Sequence, residues 1–166
     1  MLVHGVILKD KITVELFDSA GGLKALRIAD MIVSTGRQAM ALAVGTTRGT
    51  PGASWIALGS SIVANQGTRT RLLGERAAPG SGGGPGRLYG SFTRPTSSFY
   101  FRRQRTWQAG SASGSNAETG LFIQSTSNTG PLRNAGGMLN RGTFATIVKG
   151  ASDTLRITHQ VSFGTS

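Results

Sequence analysis

Arg102, Arg103 and Arg105 are interleaved with Phe99, Tyr100, Phe101 and Trp107 in the stretch SFYFRRQRTW. Two binding chemistries suit that set. Aromatic faces stack on bases while guanidinium groups neutralise phosphates. Alternatively, the aromatic half packs inside a strand while the arginines meet acids of a neighbouring subunit. The stretch closes a longer basic run comprising Arg69, Arg71, Arg76, Arg87, Arg94, Arg102, Arg103 and Arg105, with Glu75 the single acid among them. With a formal net charge of +11, the chain should seek an anionic partner through this run. These eight arginines and Tyr100 are the candidate interface.

Catalytic chemistry finds little footing. The chain has no cysteine, which rules out disulfides and thiolate metal sites. Its two histidines, His4 and His159, stand near opposite ends with no HxxxH or HExxH pair, so no metal site is expected. GSGGGPG contains a proline and no helical pattern follows it, whereas a phosphate loop needs its glycines between a strand and a helix. No GxSxG elbow is present, and the seven acids are scattered without a spacing that marks a carboxylate pair such as Glu75 with Glu118. The expectation is a non-enzyme with no catalytic residue, no metal and no cofactor.

The elements that position these residues read mainly as strands. With 166 residues, 38% of them hydrophobic and 25 of them glycine, the chain has one ordinary domain's worth of core and many turns. In VILKDKITVELFDSAGG, Ile12, Val14 and Leu16 alternate with Thr13 and Glu15, predicting a strand or arm that breaks at Gly21-Gly22. In LKALRIADMIVSTGRQAMALAVG, Leu23, Leu26 and Asp30 recur at helical spacing, predicting a helical region. A shorter helix over residues 37–44 is capped from Ser34 or Thr35 and stopped by Gly45. Trp55 to Leu58, SFYFRRQRTW, ETGLFIQ and GTFATIV read as strands, and AAPGSGGGPG over residues 77–86 reads as a flexible loop. In TLRITHQVSF, Leu155, Ile157, Val161 and Phe163 alternate with polar residues, and His159 has inward parity as a satisfied core or interface histidine. The expected fold is an antiparallel β-sandwich-like domain over residues 23–166 with a short N-terminal helical region, preceded by a strand or arm over residues 1–22.

Three blocks carry a family resemblance. WIALGSSIVANQGTRTRLLGE, AETGLF and GGMLNRGTFATIVKGASDTLRITHQVSF resemble, in order and spacing, blocks of small virion proteins of tailed bacteriophages, often labelled tail or tail fibre proteins. IVSTGRQAMALAVG is similar to their short helix. The resemblance covers residues 55–163 discontinuously. It implies turn or close-packing roles for Gly59, Gly120 and Gly150, and core roles for Leu58, Leu121, Phe122, Phe144, Leu155 and Ile157. It supplies no catalytic residue. This chain departs from the family pattern in its arginine- and glycine-rich connection, which points to a specialised binding surface between Arg69 and Arg105.

The expectation is a structural component of a tailed-phage virion, assembled in the host cytoplasm. The leading reading is a tail- or neck-associated, fibre-related subunit that binds other virion proteins and copies of itself, with a trimer compatible. A capsid decoration (cement) protein is one alternative. A nucleic-acid-binding module using residues 99–107 is the alternative from another class. The first residues lack the pattern of a signal peptide, and no apolar run approaches the length of a bilayer span, so no membrane insertion is expected.

Overall fold

The computed structural model describes residues 6–29, 54–64, 72–75, 86–95, 99–123 and 138–165. They form nine strands: β1 (Val6–Phe17), β2 (Leu23–Ala29), β3 (Trp55–Gly59), β4 (Leu88–Tyr89), β5 (Ser91–Thr93), β6 (Tyr100–Trp107), β7 (Gly114–Phe122), β8 (Met138–Lys149) and β9 (Thr154–Thr165). Every pairing is antiparallel, in a five-stranded sheet ordered β2-β1-β9-β6-β5 and a four-stranded sheet ordered β4-β3-β7-β8. The mainly β, sandwich-like fold read from the alternation is present. Among the described residues no helix is long and apolar enough to cross a membrane.

Period-two alternation sends one set of side chains from each sheet into a shared core. Ile12, Val14 and Leu16 of β1 and Leu155, Ile157 and Val161 of β9 meet Ile56 and Leu58 of β3, Leu121 of β7, and Leu139, Phe144 and Ile147 of β8. The sheets approach closely where β8 crosses β1. A Cβ at Gly142 would stand 2.5 Å from Ile12 Cδ1 and 3.0 Å from Ala29 Cβ, so only glycine fits there.

The helical region expected from Leu23 begins instead as strand β2. Its register against β1 runs from Ile12↔Ala29 to Leu16↔Ala25. Ala25 and Ala29 pack on the core, while Leu26 and Ile28 are exposed at 45% and 61%. A short isolated helix is marginal in water, whereas pairing with β1 satisfies the same backbone groups and buries the alanines. The tertiary partner overrides the local spacing. The shorter helix expected over residues 37–44 and most of the glycine-rich loop, residues 77–85, lie outside the described residues.

The segment expected as a strand or arm supplies β1. It pairs with β9 from Val6↔Thr165 to Phe17↔Thr154 and with β2 on its other side. The turn after it uses Gly21 at φ 85°, and Asp18 Oδ1 accepts hydrogen bonds from the Ala20 and Gly22 amides.

The outer face of the four-stranded sheet is also covered. Ala57, Phe122 and Met138 point away from the main core and form a second apolar cluster with Leu72, flanked by Trp55.

Candidate functional site

Strand β6 carries the arginine–aromatic stretch, and its register fixes which side chains face inward. Phe101 lies opposite Val161, Arg103 opposite His159, Arg105 opposite Ile157 and Trp107 opposite Leu155. Tyr100 and Arg102 point to the outer face, opposite Ser162 and Gln160. Trp107 is buried in the core, Phe101 is half-buried, and Phe99, just before the strand, is 82% exposed. The inward-parity face therefore opens to solvent towards the start of β6.

There the aromatics gather. Strand β5 places Phe92 opposite Arg103. The Phe92 and Phe101 rings lie 6.1 Å apart at 37°, and the Phe101 and Phe163 rings lie 6.4 Å apart at 41°. Phe92, Arg94, Phe99, Tyr100, Phe101 and Phe163 line a groove of about 360 Å³. Among the described residues β5 is the edge strand of its sheet, and all three of its residues are exposed.

The arginines divide into internal and external groups. Arg103 is only 8% exposed. Its Nη2 donates to Ser54 Oγ at 2.9 Å and its Nη1 to Gly90 O at 3.2 Å, while its guanidinium lies 4.5 Å over the Phe92 ring. Arg87 is buried, bidentate to Glu75 at 2.9 and 3.2 Å, and sits 3.7 Å from the Phe122 ring centroid. Both hold the fold together. Arg105 is partly buried on the inward face, and its Nε has no hydrogen-bond partner. Arg94 and Arg102 are exposed. Arg102 Nε donates to Gln160 Oε1 at 2.8 Å, and its guanidinium lies 4.8 Å over the Tyr100 ring. Arg69, Arg71 and Arg76 lie outside the described residues. Of the candidate interface the structure thus brings Arg94 and Tyr100 to the groove, adds Phe92 and Phe163, which lie far apart in sequence, and leaves Arg102 on the opposite face of β6.

The residues given structural roles by resemblance are placed as follows. Leu58, Leu121, Phe144, Leu155 and Ile157 are in the main core, and Phe122 is in the second cluster. Gly59 lies under Glu118, where a Cβ would come within 2.5 Å of Glu118 Cγ. Gly120 lies under Phe122 and Leu72. Gly150 begins the β8–β9 turn, where its amide donates to Asp153 Oδ2 at 2.8 Å.

Sequence reasoning missed the Glu118–Arg141 ion pair. Its side chains are fully buried, with Nη2 to Oε2 at 2.7 Å and Nε to Oε2 at 3.0 Å. Glu118 also accepts the Gly74 amide at 2.6 Å and the Leu73 amide at 3.3 Å, and Arg141 donates to Val63 O at 3.2 Å. The pair fastens residues 60–64 and 72–75 across the outer face of β7 and β8. The block AETGLF contained Glu118, but nothing local marks an outward-parity residue as covered.

Other carboxylates are likewise engaged. Glu15 is bidentate to Arg156 at 2.8 and 2.9 Å, which raises the Arg156 pKa. Asp153 is held below the ordinary carboxylate range by the Gly150 amide first, and then by Lys24 at 3.1 Å. Buried Lys149 is pushed down by desolvation, with Asp153 opposing. His159 is fully buried in the core, its Nε2 3.2 Å from Thr119 Oγ1, and burial lowers its pKa to about 3. These groups are fixed in structural contacts, whereas the aromatic groove and Arg94 in its wall are open to solvent. No family model, curated protein or solved structure matches the chain.

Proposed function

We propose that this chain is a structural subunit of a tailed-phage virion that works through protein–protein contacts rather than catalysis. The observation that carries the reading is the groove at the β5 edge, where exposed Phe92 and Phe99 meet exposed Arg94 beside a strand that, among the described residues, is paired on one side only. Aromatic and arginine side chains around an apolar recess are the composition of an interface centre. The carboxylates of Glu15, Glu75, Glu118 and Asp153 are each engaged in an ion pair within the fold. The three-block resemblance to phage virion proteins supplies the context.

Within the particle we assign the chain to the tail or neck as a fibre-related subunit, with copies of itself and other virion proteins as partners. Repetition by symmetry multiplies a modest contact, so one groove per copy suffices. Capsid decoration is the rival location. Electron cryo-microscopy of particles encoded with this chain tests both. Density at the tail or neck supports the assignment, density spread over the capsid lattice replaces it with decoration, and absence of the chain from purified particles by mass spectrometry removes the virion reading altogether.

The reading from another class, a nucleic-acid-binding module, is favoured by Arg102 stacked on Tyr100 beside exposed Phe99. It requires oligonucleotide affinity that falls steeply with salt.

A further inference from the structure

We infer that the groove binds an extended, acidic segment of a partner protein, which adds as a sixth strand to the open edge of β5 and inserts an apolar side chain between the phenylalanines. The inference deepens the reading above and rests on its premise that the chain works by protein contacts.

The edge comes first. Among the described residues β5 pairs with β6 on one side only, which leaves the backbone groups of its other side for an added strand. Register then dictates side-chain placement. A residue of the added strand opposite Phe92 points to the face that Phe92 shares with Arg103 and Phe101, which is the groove. Its neighbours on either side point to the opposite face, shared by Ser91, Thr93 and Arg102. Ser91 and Thr93 are short, so these neighbours have room there.

Charge selects the partner. Arg94 stands in the groove wall, and Arg102 on the other face engages a neutral glutamine and a tyrosine ring. The ion pairs of Lys24, Arg87, Arg141 and Arg156 use neither. An acidic residue on each face of the added strand therefore meets an arginine. A second copy of this chain is disfavoured, since it brings another net charge of +11 to the same edge. Stacked bases fit the ring geometry poorly. Phe92, Phe101 and Phe163 are tilted against one another at 37° and 41° and do not offer a row of parallel faces.

The test is fluorescence anisotropy with the full chain and three labelled probes. These are a short peptide with one central Phe flanked on each side by three Glu, which places glutamates on both faces of the added strand, the same peptide with Lys for Glu, and a single-stranded oligothymidine. The glutamate peptide should bind, the lysine peptide should not, and Arg94→Glu should weaken binding roughly tenfold or more. Phe99→Ser should weaken it as well and should leave the fold intact, since Phe99 is 82% exposed. Hydrogen exchange should show new protection at Ser91–Thr93 in the complex. Equal binding of both peptides, binding of neither, unchanged binding by both variants, or no new protection in β5 would each overturn the inference. Preferential binding of the oligonucleotide would overturn it in favour of a nucleic-acid surface. The two readings fail separately. If the chain is present in particles but the acidic peptide does not bind, only this inference is lost. Peptide binding by a chain absent from particles removes the virion role and leaves the groove as an acidic-peptide site.

Discussion

Thr119 determines the protonation of His159. The threonine hydroxyl gives its only proton to Ala57 O at 2.8 Å, so towards the imidazole it can only accept. The neutral ring therefore carries its proton on Nε2, and Nδ1, which has no partner, keeps a bare lone pair. Adding a second proton would bury a charge and a donor with nothing to receive it, which is why burial lowers the pKa from 6.5 to about 3. Below the unfolded value the unfolded chain takes up a proton that the folded one refuses. Stability then falls as pH drops from 6.5 towards 3, by up to about 1.4 kcal/mol per pH unit. His159→Gln keeps a donor for Thr119 and cannot titrate. Urea unfolding at a series of pH values should show a flatter acid slope in this variant, and parallel slopes would assign the acid sensitivity elsewhere. The Glu118–Arg141 pair makes a second residue-level prediction. Arg141→Met leaves a buried carboxylate with two backbone amides and no counter-charge, costing about 3–5 kcal/mol. The double variant Glu118→Gln/Arg141→Met should recover a large part of that loss in the same measurement.

Individual elements differ in how they are closed off. Among the described residues strand β2 is an edge with Leu26 and Ile28 exposed on one face, a template for unwanted association. Ile28→Lys should change stability by no more than about 0.5 kcal/mol and reduce self-association in light scattering of the isolated chain. The β8–β9 hairpin is closed by one carboxylate. Asp153 accepts the Gly150 amide and binds Lys24, 129 residues away in sequence, so a local turn is also tied to the start of β2. Asp153→Ala should lower the melting temperature at neutral pH. Because the folded carboxylate titrates below its ordinary value of 3.8, the difference from the unsubstituted chain should shrink as pH falls through that range.

At the scale of the whole molecule, the two ends of the chain meet in the middle of one sheet. β1 and β9 pair along twelve residue positions, with β2 on one side and β6 on the other. Such pairing brings residues about 150 positions apart into register, so loop-closure entropy opposes its formation until other contacts exist. A chain lacking residues 1–17 loses a central strand together with Ile12, Val14 and Leu16 from the core. It should show no cooperative thermal transition by circular dichroism, and a native-like transition would mean that β9 can pair with another strand.

Strand character and side-chain parity were legible locally, because the period of two is a property of each segment alone. It assigned Ile12, Val14, Leu16, Leu155, Ile157 and Val161 to one face each, and it gave His159 its inward direction. The same period was present at Ala25, Arg27 and Ala29 but was masked by the helical spacing of Leu23 and Leu26, and pairing with β1 resolved it. The arginine–aromatic stretch of β6 was also marked by its composition. Tertiary structure alone decided which arginines reach solvent: Arg103 and Arg87 turn inward because Ser54, Gly90 and Glu75 come from distant segments to receive them. It likewise decided that Phe92 and Phe163 join Phe101, and that Glu118 and Arg141 are buried beneath residues 60–64 and 72–75. Parity says which side of a strand a residue occupies, but whether that side meets water depends on what the rest of the chain lays across it.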